Sequence, residues 1–255
     1  MNKLPARTGL EWLKQGFALF RVQPGILMML IVANFLFAIL LSALPILGPI
    51  LSFVFIPSFT IAIQQTCHLI DNGQRVLPGV LLTGFRKDAI GPLCKMGLVY
   101  LAILVLLILL VSPWIDVESV RNAMKMVEAK KEPTLDSGTQ FAALAFMAMF
   151  GISMLLLSFA PGLIYWKKMP TFKAIFYSVF AVFGSVRPLL AMLFSALGFY
   201  WIISMVIGLI FGRSQIVFVI IAWLNLVFAL VFQCAIFAAY KQILGAPESA
   251  SEKPN

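Results

Sequence analysis

The octapeptide QQTCHLID, Gln64–Asp71, holds the side chains of this chain best suited to proton chemistry. Gln64 and His68 are four residues apart and share a face if the segment is helical. Asp71 follows three residues after His68, within reach of an Asp–His contact. Imidazole titrates near neutral pH, so such a pair has the make-up of a proton relay. The competing reading is a helix end meeting water, where polar residues need no chemistry. The other polar groups in apolar surroundings are amides: Asn34 in one run, and Asn225 and Gln233 eight apart on one face of another. Each can join helices through hydrogen bonds of roughly 0.6–2 kcal/mol. Converging on one cavity with Gln64 and His68, they would instead contact a small solute.

Catalytic signatures are thin. HExxH, GxSxG, Walker and GxGxxG patterns are absent, and His68-x-x-Asp71 is weak. Five of the 10 acidic residues, Asp116, Glu118, Glu128, Glu132 and Asp136, fall in one polar stretch, 113–138. Cys67, Cys94 and Cys234 form no CxxC pair and fall within spans or near their cytoplasmic ends, so no stable disulfide is expected, and one histidine cannot make a multi-His metal site. The expectation is a protein without enzymatic activity, metal or cofactor.

The elements that carry these residues are strongly apolar. The chain is 62% hydrophobic and 11% charged, with a mean hydropathy of +1.00, whereas soluble domains are about half apolar and a quarter charged. Six all-α spans are expected at about 25–44, 48–70, 92–112, 139–165, 189–211 and 215–240. Pro45, Gly48 and Pro49 turn the first span back into the second. The first apolar run is too long for a signal-peptide core, so the N-terminus is expected to stay.

Six spans put both termini on one side. That side carries fourteen of the 19 Lys and Arg residues, and the other carries Arg121, Lys125, Lys130, Lys131 and Arg213. Cytoplasmic loops are enriched in such residues, so both termini are expected in the cytoplasm of a bacterial inner membrane. The cations lie scattered beside spans, which fits anionic headgroups and disfavours nucleic acid.

One phrase occurs three times: a basic residue, a proline, and methionine four after that proline. Pro24 precedes Met28, Pro92 precedes Met96, and Pro188 precedes Met192. Upstream of Pro24, Leu10, Leu13, Phe17 and Phe20 step by three and four. Upstream of Pro188, Phe172, Ile175, Phe176, Val179, Phe180 and Phe183 share a face, and a shorter copy spans 77–92. Each reads as an amphipathic helix in the cytoplasmic interface, ended by a proline that opens the next span. The units are three parallel two-span repeats, about 6–70, 77–166 and 170–243, forming one domain over 1–245 with a disordered tail at 246–255. Within the insertion 113–138, Val117, Val120, Met124 and Val127 line one face of a short periplasmic helix. Lys130 and Lys131 suit its last turn, Pro133 ends it and Trp114 anchors it.

The stretches GLEWLKQGFALFRVQPGILMM, LPILGPILSFVFIPSF and GQRVLPGVLLTGF resemble an uncharacterised family of proteobacterial polytopic inner-membrane proteins. The likeness covers the N-terminal third well and the rest by general plan. A more distant similarity is to the membrane domain attached to some glycerophosphodiester phosphodiesterases, which is not their catalytic domain. The resemblance implies location and fold, hints at lipid-related work, and carries over no catalytic residue. The expected function is to organise or move lipid or another amphipathic molecule, with Arg21, Arg86, Lys87 and Arg187 as the headgroup-binding rim. A small-solute transporter or channel and an accessory subunit remain alternatives. Membrane lipids are the expected partners, and a second copy or another membrane protein stays open.

Overall fold

The computed structural model describes residues 4–128, 134–212 and 214–247. Among these residues the regular structure is helical, with ten α-helices and two short 3₁₀ helices. The α-helices are α1 (Arg7–Val22), α2 (Pro24–Ser42), α3 (Leu47–Asp71), α4 (Lys87–Val111), α5 (Val117–Glu128), α6 (Ser137–Leu156), α7 (Ala160–Tyr165), α8 (Thr171–Gly184), α9 (Val186–Phe211) and α10 (Gln215–Leu244). Six stretches are long and apolar enough to cross a bilayer: Pro24–Ser42, Leu47–Asp71, Lys87–Trp114, Ser137–Tyr165, Val186–Phe211 and Ile216–Leu244.

Burial identifies the solvent. The rest of the chain buries 50% of the most apolar window of α3, but only 6% of that of α9 and 11% of that of α2. α3 is therefore the central element. The other spans turn most of their apolar surface outward, far beyond the few hundred Å² that soluble monomers expose in one patch. Hydrocarbon accepts that surface, and the helical stretches of the spans meet most of their backbone hydrogen bonds internally.

The tightest core lies at the end of the bundle where α1, α7 and α8 meet the feet of α3, α4, α9 and α10. Trp12, Met96, Phe159, Leu163, Met192 and Tyr240 are almost wholly buried there. Glycine allows two of the closest approaches. A Cβ on Gly16 would collide with the α10 backbone at Val231 and Ala235, and one on Gly97 with the α3 backbone at Val54. Small residues at crossings are how membrane helices gain van der Waals contact where lipid removes the hydrophobic drive between them.

Helical segments precede the first, third and fifth spans, with differences from the expected detail. Pro24 is the first residue of α2 and Pro188 the third of α9. Pro92, expected to open its span, instead lies inside α4, which starts five residues earlier at Lys87. Pro92 is the sixth residue of α4, so the bond from its missing N–H back to Asp88 O is forgone and its ring faces that carbonyl, which bends or strains the helix there. The segment before it is a 3₁₀ helix, Pro78–Phe85, not an α-helix. Its Phe85 joins Phe37, Phe55 and Phe59 in an aromatic cluster with centroids 5.3–6.3 Å apart.

The stripe read from sequence is expected to face the membrane, and the face that packs on the protein is a different one. α1 packs through Thr8, Gly9, Trp12, Leu13 and Gly16, while Leu10 and Phe17 of the predicted stripe are exposed. α8 packs through Thr171, Ala174, Ser178, Ala181 and Val182, and Phe172, Phe176, Phe180 and Phe183 point away from the protein. α8 thus sets mostly small residues against the bundle, α1 combines Gly9 and Gly16 with the large Trp12, and both leave a second apolar face uncovered. α5 shows the same kind of shift. Ala123 is its buried residue, whereas Val117, Met124 and the nearby Trp114 are exposed. Lys130, Lys131, Glu132 and Pro133 lie outside the described residues, as do the side chain of Val127 and residues 248–255 of the expected tail. Ala246 and Pro247 line a cavity with Lys167, Lys168 and Tyr240.

Candidate functional site

The last two turns of α3 carry Gln64, His68 and Asp71 to the end of the bundle that holds α1, α8 and the 3₁₀ helix. The expected His68–Asp71 contact is not formed. Asp71 Oδ2 accepts from Lys241 Nζ of α10 at 2.5 Å, and His68 Nε2 lies 3.3 Å from the Asn72 amide. Both side chains are taken up by other partners: His68 packs against Trp166 and Phe237, with centroids 6.1 and 6.0 Å away, and Asp71 is held by Lys241, one turn beyond Phe237 on α10. A proton relay along this pair has no geometric support.

His68 faces a cavity of about 370 Å³ shared with Gln65, Arg75, Thr83, Arg86 and Trp166. Trp166 Nε1 donates to Gln65 Oε1 at 2.8 Å, which fixes one wall. Gln23, the hinge between α1 and α2, fixes another. Its Nε2 donates to Gln74 O at 2.9 Å, and its Oε1 accepts from Val76 N at 3.0 Å. That single amide holds the backbone on both sides of Arg75. A second cavity, about 530 Å³, lies between α1, α3 and α10, and there Glu11 and Asp71 accompany Lys241.

Gln64 is buried elsewhere. Its Nε2 reaches Ser158 O at 3.5 Å, at a break in the fourth span between α6 and α7. Leu157, Ser158 and Phe159 leave the helix before Pro161, and the exposed backbone is met by α8. Ser178 Oγ donates to Leu156 O at 2.7 Å and accepts from Phe159 N at 3.3 Å. Gln64 Oε1 is buried without a partner.

The remaining candidates are dispersed. Asn225 donates to Tyr200 Oη and to Ile221 O, both at 2.9 Å, from an exposed position on α10. Gln233 and Asn34 are half-buried on α10 and α2. Arg21, Arg86, Lys87 and Arg187 are all exposed. Arg21 ends α1 with its guanidinium 5.8 Å from the Phe17 ring, Arg86 and Lys87 begin α4, and Arg187 begins α9. Among the described residues no three His, Cys, Asp or Glu side chains gather as metal ligands.

Comparison with known proteins agrees with this architecture. Over 270 aligned residues the chain is 26% identical to a Burkholderia thailandensis protein named "Probable inner membrane protein", covering 99% of this chain and 97% of that one. No protein-family model and no solved structure matches the chain. The similarity and the six apolar spans identify a multi-pass protein of the inner membrane.

Sequence reasoning missed the part played by four residues. Arg75 entered only as a topology cation, and its place in the cavity depends on the distant Gln23. Ser178 sits on the small face of α8, overlooked because the phenylalanine face has the stronger periodicity. Cys67 and Cys234 are 167 residues apart in sequence, yet their sulfurs lie 2.7 Å apart and both are buried.

Proposed function

We propose that this protein is non-enzymatic, keeps both termini in the cytoplasm, and organises or moves lipid or another amphipathic molecule along the inner leaflet. The observation that carries this reading is the uncovered face of α8. Phe172, Phe176, Phe180 and Phe183 project outward while Lys173 and Arg187 lie exposed beside them. A helix with one face on protein and a second apolar face under cations is suited to the headgroup boundary. α1 repeats the arrangement with Leu10, Phe17 and Arg21. The loop charges support cytoplasmic termini. The three-unit repeat draws support from a helical segment before Pro24, Pro92 and Pro188 and from full burial of Met96 and Met192, whereas Met28 of the first unit is half-buried.

The test is retention of anionic lipid through detergent purification by wild type and by the joint variant Arg21→Gln, Arg86→Gln, Lys87→Gln, Arg187→Gln. A severalfold loss supports the reading, and unchanged retention sinks it. The small-solute alternative needs Asn34, Gln64, His68, Asn225 and Gln233 in one cavity. The separate bonds of Gln64 and Asn225 weigh against it. The accessory-subunit alternative draws on the exposed outer half of the α9–α10 hairpin, where Trp201, Leu209 and Phe218 project. A stoichiometric membrane-protein partner on purification would favour it.

A further inference from the structure

We infer that the cavity beneath Arg75 and Arg86 is a binding site for a phosphate group, carried by an amphipathic molecule that enters from the membrane boundary. This rests on the lipid reading above and gives it a place and a ligand chemistry.

Charge is the first argument. The cavity is lined by two guanidinium groups and the His68 imidazole, with no Asp or Glu among the lining residues. The larger cavity beside α1 differs, because its Lys241 is neutralised by Asp71 and shares the space with Glu11. Arg75 and Arg86 both reach solvent, and two cations in one concavity with no carboxylate in its lining give it a positive potential suited to an anion. Arginine selects phosphate over a point anion, since its planar fork matches two phosphate oxygens at once.

Preorganisation is the second. Arg75 has its backbone pinned on both sides by Gln23. Arg86 is the N-cap of the 25-residue α4, whose dipole end it shares with the exposed Asp88 of the first turn, so its position is fixed by the helix start. The Thr83 hydroxyl and the Gln65 amide line the same space. The third argument is amphipathicity. Val80 and Trp166 supply apolar wall, and Leu77 and Gly79 at the mouth are exposed. The volume, about 370 Å³, falls within the range of roughly 300–1,000 Å³ found for small-ligand sites.

The experiment uses the full chain in detergent, read by native mass spectrometry after exposure to phosphatidylglycerol, phosphatidylcholine or inorganic phosphate. Arg75→Gln with Arg86→Gln is compared with Lys14→Gln with Lys95→Gln, two exposed lysines outside both the cavity and the rim, so that each variant loses two charges. The expected result is a roughly tenfold loss of retained phosphatidylglycerol in the cavity pair, the scale of losing charge-assisted hydrogen bonds, and less than about twofold loss in the lysine pair. Inorganic phosphate that stabilises wild type but not the cavity pair, with no lipid retained, keeps the phosphate site and assigns it to a free anion. Equal losses in both pairs, or a loss in the lysine pair alone, overturn the site and leave the leaflet function standing. No loss in either pair overturns the site and leaves the leaflet function to the four-residue rim variant. Should the cavity pair fail to fold, Arg75→Lys with Arg86→Lys keeps the charges and removes the forks. A loss of about threefold or more then supports the site, and unchanged retention overturns it.

Discussion

Replacing Ser178 by alanine is expected to loosen the fourth span at its break. The Ser178 hydroxyl lies in the core and serves two backbone groups that α6 and α7 leave open, donating to Leu156 O at 2.7 Å and accepting from Phe159 N at 3.3 Å. Ser178 and Phe159 are both fully buried, so water cannot replace the lost partner. An orphaned buried group costs about 1–3 kcal/mol in soluble proteins, and interhelical hydrogen bonds in membranes average about 0.6 kcal/mol with a maximum near 1.7. The second bond is long, which places the combined loss at about 1–2 kcal/mol. Ser153→Ala is the control. That hydroxyl bonds only to Met149 O within its own helix, at 2.8 Å, and its removal orphans nothing, so an effect within about 0.5 kcal/mol is expected. Reversible unfolding in mixed detergent–dodecyl sulfate micelles, followed by circular dichroism, measures both. Equal stability of the two variants would refute the assignment of Ser178 as the clasp of the break.

Three other outcomes follow from named contacts. With Cys67 and Cys234 sulfurs 2.7 Å apart, a membrane-permeant thiol oxidant such as diamide should produce an intramolecular cross-link, seen as faster migration on a non-reducing gel. Cys67→Ser or Cys234→Ser should abolish it and Cys94→Ser should not, and a cross-link that needs Cys94 contradicts the α3–α10 contact. In a cysteine-free background, cysteines placed at Lys14 and Lys173 should react with an impermeant maleimide only after the inner membrane is opened, and one at Glu118 should react from the periplasm. The reverse pattern removes the proposed orientation. Asp136 caps α6 by accepting from Gly138 N at 2.9 Å and Thr139 N at 3.1 Å. The Thr139 side chain first, and then the Thr139 amide, hold its carboxyl below the ordinary value of 3.8. A depressed carboxylate stabilises the folded cap fully above the ordinary value and loses that contribution as pH falls through the lowered one. Amide-exchange protection of the first turn of α6 should therefore hold at neutral pH and drop below pH 3.8, and Asp136→Ala should remove the pH dependence.

The amino-acid sequence by itself determined the six spans, their approximate ends, a short turn around Pro45 (residues 43–46, with Gly48 and Pro49 already inside α3) and the helical segments before the first and fifth spans. These depend on local quantities: the length of an apolar run, the missing N–H of a proline, and the placement of charges. The ends drifted most where a proline was read as a start, because Pro92 is absorbed into a helix that begins at Arg86 and Lys87. Which face of each helix meets protein was decided only by tertiary structure. In water the apolar face is the buried one, so periodicity identifies it. In a membrane lipid takes the bulky apolar face, and protein takes the small residues that let backbones approach. That inversion sends the phenylalanines of α8 outward and Thr171, Ala174 and Ser178 inward. It also explains why Gln23 beneath Arg75, Ser178 at the break, and Cys67 against Cys234 could not be read from sequence. Each contact joins segments distant along the chain and is set by how the helices cross, which no local pattern records.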